Sequence, residues 1–115
     1  MNKIKLIINN DLKKSDKERF FIKKELQCIL NLYAKMVSNG SWKDYSFSSG
    51  IKEVSFNVYQ RTSEKPVIRI SKNLKPKYFN ERYFIKDKDG KVIEKSDNLN
   101  HLITKTSWNR LKLIK

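Results

Sequence analysis

Apolar residues recur at helical spacing from Phe21 to Val37. Phe21 or Ile22, Leu26, Ile29, Leu30, Tyr33 and Val37 form one stripe, and Cys28, Leu32 and Met36 run along its flank. Together they cover roughly half the circumference, wider than the apolar face of an ordinary surface helix. Lys23, Lys24, Gln27, Asn31 and Lys35 mark the wet side. The spacing predicts a central helix, packed on a sheet and against a further element on its flank. Asn39-Gly40 supplies a left-handed C-terminal stop.

From Lys52 the period changes to two. Val54, Phe56 and Val58 alternate with Glu53, Ser55, Asn57 and Tyr59, the pattern of a half-buried strand. Residues 61–65 make a turn, and Pro66 suits the first position of the next strand. In that strand Ile68 and Ile70 face the core and Arg69 lies opposite, and residues 72–77 form a basic connection. A third strand is expected over 78–86, with Phe79, Tyr83 and Ile85 on one face and Arg82 and Phe84 on the other. Asp87-Lys88-Asp89-Gly90 is a hairpin turn that returns the chain through 91–94. Asp97 is the expected cap of a second helix carrying Leu99, Leu102, Ile103 and Thr106.

Residues 4–8 predict a short first strand, and residues 9–19 a flexible basic lead-in with Ser15 and Glu18 as a weak capping box. Residues 111–114 alternate weakly and either add an edge strand or extend the second helix. The expected class is therefore α+β: a single domain over 1–115 with its core in 20–110. An antiparallel sheet of four to five strands packs on a long helix in the N-terminal half and a shorter C-terminal helix, both on one face.

At 115 residues and 38% hydrophobic content the chain supports one core. No apolar run reaches the length of a spanning helix, and the apolar run at 4–8 is too short for a secretory leader, so no membrane insertion and a cytoplasmic location are expected. One Cys and one His exclude an intrachain disulfide framework and a Cys/His zinc cluster. A net charge of +14 makes polyanions natural partners, nucleic acid first and an anionic membrane surface second. Of the 26 basic residues only five are Arg, and Ala34 is the single Ala beside abundant Lys, Asn and Ile. AT-rich codon usage would produce the same bias, so the charge has two explanations, binding and composition.

Two blocks of residues carry a resemblance. Phe21, Lys24, Glu25-Leu26, Ile29-Leu30, Leu32-Tyr33, Met36-Val37, Gly40 and Trp42-Lys43-Asp44-Tyr45 form the first. Phe56, Val58, Arg61, Ser63-Glu64, Pro66 and Arg69-Ile70 form the second. The chain resembles in these an alphaproteobacterial domain-of-unknown-function family, number twenty-seven ninety-four, over about residues 21–105. Where that family often has Gly-His before its last helix, this chain has Ser96-Asp97. The resemblance implies a small cytoplasmic bacterial protein and brings no activity.

Two clusters are candidate sites. Trp42, Lys43, Asp44 and Tyr45 either fold back over the end of the core, or form a corner in which an exposed aromatic beside Lys43 stacks on a base or a partner side chain. Arg61, Ser63, Glu64 and Arg69 either hold the hairpin as an Arg–Glu network, or make an anion site in which Glu64 orients one guanidinium. Cys28 belongs to the apolar flank of the helix and His101 to the surface of the second helix. No phosphate loop, metal-spaced carboxylates or nucleophile–base pair is present, so neither an enzyme nor a cofactor is expected. The expectation is a non-enzymatic basic module that contacts RNA or DNA through lysines, Arg61 and Arg69. Aromatics Tyr59, Tyr78, Tyr83 and Phe84 lie among basic residues on a sheet with one face partly open. The second reading is a protein-interaction adaptor that uses the Trp42/Tyr45 and Arg61–Glu64 corner.

Overall fold

In a computed structural model of the chain the structure describes residues 20–61, 65–106 and 108. Helix α1 spans Lys23–Ser38, and five strands follow: β1 (Asp44–Ser49), β2 (Glu53–Tyr59), β3 (Ile68–Asn73), β4 (Tyr83–Asp87) and β5 (Val92–Ser96). A 3-10 turn at Phe79–Glu81 precedes β4, and helix α2 (Leu99–Lys105) closes the described fold. The strands lie in the sheet in chain order, every pair antiparallel. This is the α+β arrangement of an uninterrupted meander with α1 and α2 side by side on one face.

Alternation assigns the two faces. Val54, Phe56, Val58, Ile68, Ile70 and Ile85 point to the helices and are buried, together with Ile29, Leu32 and Met36 of α1 and Leu99 and Leu102 of α2. Aromatic rings fill the space between α1 and β1–β2. Tyr33 meets Tyr45 edge-on at 4.9 Å and Phe56 at 5.8 Å, while Phe20 lies 5.5 Å from Phe47. Edge and offset contacts of this kind add about 0.5–1.5 kcal/mol each beyond area burial.

Several boundaries differ from the sequence expectation. Residues 44–49 form a strand, because Tyr45 and Phe47 alternate with Ser46 and Ser48; two aromatics among serines make a short signal that looks like loop. The expected strand at 4–8, the capping box at 15–18 and the segment 111–114 lie outside the described residues. The buried line of α1 runs Glu25, Ile29, Leu32, Met36, whereas Leu30 and Val37 are exposed. Counting apolar residues alone displaced the stripe, since its first member is a carboxylate. Strand β3 extends through Lys72 to Asn73, and β4 begins only at Tyr83.

Both turns and caps have local causes. Gly40 ends α1 at φ +83°, and Gly90 takes the same value in the β4–β5 hairpin. There Asp87 Oδ1 accepts from the backbone N–H of Asp89 and Lys91. Asn98, not Asp97, caps α2: its Oδ1 accepts from His101 N at 2.9 Å.

Candidate nucleic-acid interface

The site rests on a buried polar anchor that a search for apolar periodicity does not find. Glu25 Oε1 accepts from Lys72 Nζ at 2.9 Å and from Ile22 N at 2.7 Å, and Glu25 Oε2 accepts from the Tyr83 hydroxyl. Lys72 Nζ also donates to Phe20 O at 3.0 Å. One carboxylate thus ties the entry of α1 to β3 and β4. Burial first, and then the hydrogen bond and negative charge of Glu25, push the Tyr83 hydroxyl well above its ordinary pKa. Glu25, Lys72 and Tyr83 are all buried, so the cluster ties α1 to the middle of the sheet.

Ser71 and Asn73 flank Lys72 in β3 and point the other way, into the sheet face opposite the helices. Two register rows cross that face. The first is Ser48, Ser55, Ser71, Phe84 and Lys95; the second is Ser46, Asn57, Arg69, Lys86 and Val92. Hydroxyls and amides knit its β1–β2 half. Ser55 Oγ and Ser71 Oγ are 2.8 Å apart, Asn57 Nδ2 donates to Ser46 Oγ and Ser48 Oγ, and Ser46 Oγ pairs with the Tyr59 hydroxyl. Asn57 Oδ1, turned away from these serines, is buried without a hydrogen-bond partner.

Cations gather on the other half. Arg69 and Lys86 are direct register partners, Lys86 Nζ lies 5.3 Å from the centre of the Phe84 ring, and Phe84 is the register partner of Lys95. Glu53, at the margin, reaches Lys86 at 3.8 Å. An exposed pair of that length contributes about 0–1 kcal/mol and leaves the lysine available to a better anion. Beside Phe84 an open groove of about 940 Å³ includes Asn73, Asn80, Lys86, Lys95 and Ser96 in its lining. Lys86, Lys95 and Lys105 are balanced there by Glu81, Glu94 and Asp97, with Lys105 3.6 Å from Glu94.

The residues singled out from sequence are scattered. Trp42 is only 4% exposed; its ring lies between Tyr33 at 6.1 Å and the edge of Trp108 at 5.6 Å, and its backbone N–H bonds Met36 O. It covers the end of the core. Tyr45 is half-buried, stacked on Phe56 at 5.3 Å. Lys43 and Asp44 are exposed, and Asp44 Oδ1 accepts from the next backbone N–H at 2.8 Å. Arg69 is exposed within the second row, and Arg61, also exposed, lies past the end of β2. Ser63 and Glu64 lie outside the described residues. Lys86, Lys95, Phe84 and Tyr59 complete the cationic face. The signal for Lys86, Phe84 and Tyr59 was the alternation itself, since each takes the parity opposite a buried Ile, Val or Tyr, whereas Lys95 is placed by its register with Phe84.

Among the described residues no group of three His, Cys, Asp or Glu side chains could hold a metal ion, and no helix is long and apolar enough to cross a membrane. Neither the curated proteins nor the solved structures contain a match to the chain. A family does match, over residues 19–103, which takes in α1, the whole sheet and most of α2. The chain belongs to that family, described as "Protein of unknown function (DUF2794)".

Proposed function

We propose that this protein is a non-enzymatic module that binds single-stranded nucleic acid on the sheet face opposite its helices. The observation that carries the reading is the cross-strand cluster of Arg69, Lys86, Phe84 and Lys95. The centre of that face is closed at Ser55, Asn57 and Ser71, but at its β3–β5 side cations set around a partly exposed aromatic supply the two things a single strand needs, counter-charge for phosphates and a ring for bases. Arg69 and Lys86 take the phosphates. The groove beside Phe84 has balanced charge, which suits an uncharged base rather than the backbone, with Asn73 and Asn80 offering amide donors and acceptors to its edge. Arg61 and Lys65, both exposed in the β2–β3 connection, extend the basic surface along the same strand pair.

A protein-adaptor role built on Trp42 and Tyr45 draws less support, because a buried indole is not available as an anchor. Chemical-shift mapping with a short oligouridylate tests the reading. Perturbations are expected at Asn57, Arg69, Phe84, Lys86 and Lys95 and not along the exposed side of α1. Shifts confined to Lys23, Lys24 and Lys35 would move the interface to the helix and end the sheet-face assignment.

A further inference from the structure

The end of the sheet where β2 begins and β3 ends carries a second surface, built from other residues. The β1–β2 turn projects Ile51, 83% exposed and the most exposed large apolar side chain among the described residues. The β3–β4 connection presents Tyr78, 59% exposed, at the same end. The two connections are joined, since Leu74 N donates to Lys52 O at 2.8 Å. Lys52, Lys75 and Lys77 are exposed around them, and Lys77 Nζ lies 5.7 Å from the centre of the Tyr78 ring. Neither 50–52 nor 74–78 contains Asp or Glu.

A tight turn needs glycine or small polar residues, and an isoleucine at its tip gains nothing from water. Lysines alone would suit any polyanion, so the apolar pair decides among occupants. Nucleic acid offers phosphates to the lysines, but an isoleucine has no ring face with which to stack on a base. An anionic bilayer offers both: headgroup phosphates for lysines, and an acyl boundary a few ångströms below that accepts a bare aliphatic side chain. Tyrosine favours the level between the two. We infer that this end of the sheet docks peripherally on an anionic lipid surface. Ile51 enters the acyl boundary, Tyr78 sits among the headgroups, and Lys52, Lys75 and Lys77 contact lipid phosphates. The inference does not depend on the nucleic-acid reading, since the two surfaces share no residue.

Co-sedimentation of the full chain with vesicles tests it, using phosphatidylcholine alone and phosphatidylcholine with about 30% phosphatidylglycerol, a content that gives a strongly negative surface. Binding is expected to the anionic vesicles and not to the neutral ones. Ile51→Ser combined with Tyr78→Ser, both at exposed positions, should weaken that binding by about tenfold or more. Lys75→Gln with Lys77→Gln should weaken it further at low salt, and Arg69→Ala with Lys86→Ala should leave it unchanged. Absence of anionic-vesicle binding would overturn the inference. So would equal vesicle binding by the doubly Ser-substituted chain, which would reduce the effect to charge, or a loss of oligonucleotide affinity in that chain with vesicle binding intact.

Discussion

Lys72 Nζ stands 2.9 Å from Glu25 Oε1, an ion pair that joins β3 to the first turn of α1 and is almost closed to water. Desolvating two charges costs several kcal/mol per ion, and here three further hydrogen bonds from Ile22, Tyr83 and to Phe20 offset that cost. The asymmetry between breaking and replacing such a pair makes a testable statement. Lys72→Met leaves a buried carboxylate without its counter-ion and should cost about 3–5 kcal/mol in urea unfolding. Glu25→Leu together with Lys72→Met should cost less than Lys72→Met alone. A loss below about 1 kcal/mol for Lys72→Met would mean that the pair behaves as an exposed one.

Alkali should expose the third member. The folded state holds the Tyr83 hydroxyl protonated above its ordinary value of 10.0, whereas the unfolded chain releases that proton near it. Above that pH the unfolded state binds fewer protons than the folded state, so stability falls as pH rises. Tyr33, also raised, by burial first and then by the nearby Asp44, contributes in the same direction. The urea midpoint should therefore decline between about pH 9.5 and 11.5, the range in which tyrosines titrate. Tyr83→Phe should flatten the decline; an unchanged slope would show that the hydroxyl does not carry it.

Trp42 is part of the core end, with Tyr33 on one side and Trp108 on the other. Trp42→Ala should cost about 3–5 kcal/mol, as for other large-to-small core substitutions. Iodide should quench the remaining Trp42 emission weakly in Trp108→Phe. Strong quenching would place the indole on the surface and revive the stacking corner.

Gly40 and Gly90 both sit at φ +83°, and a Cβ added at either would meet no atom within 4 Å. Space is therefore not the constraint; backbone conformation is. Ala at each position should destabilise by about 1–2 kcal/mol, the cost of the left-handed region for a residue with a Cβ. Thermal unfolding of the two variants measures it.

The parts of this fold that were legible in the sequence are those with a repeating signal. The period of α1, the alternation of β2 and the Asp87–Gly90 turn each repeat or punctuate strongly enough to locate the element. Strand β1 was not, because Ser46, Ser48 and Ser49 look like loop until Tyr45 and Phe47 are seen to pack on Phe56. The anchor was not either. Glu25 and Lys72 are 47 residues apart, and each alone looks like a solvated charge in a chain rich in them. Only a tertiary contact makes them a pair. At the candidate face the parity of Arg69 and Phe84 was readable from alternation, but their proximity to Lys86 and Lys95 required the register of β3–β4–β5, including the shift at Ile85/Lys86.

The nucleic-acid reading meets its most direct test in fluorescence anisotropy of a labelled single-stranded RNA at about 50 and 200 mM salt, with the parent chain and with Arg69→Ala/Lys86→Ala/Lys95→Ala. Each phosphate neutralised on a single strand adds a log–log salt slope of about −0.7, so loss of the two phosphate contacts of Arg69 and Lys86 should flatten the slope by about 1.4, and the triple substitution should weaken binding at both salts. Binding by the triply substituted chain equal to that of the parent, with the same slope, would contradict the sheet-face site.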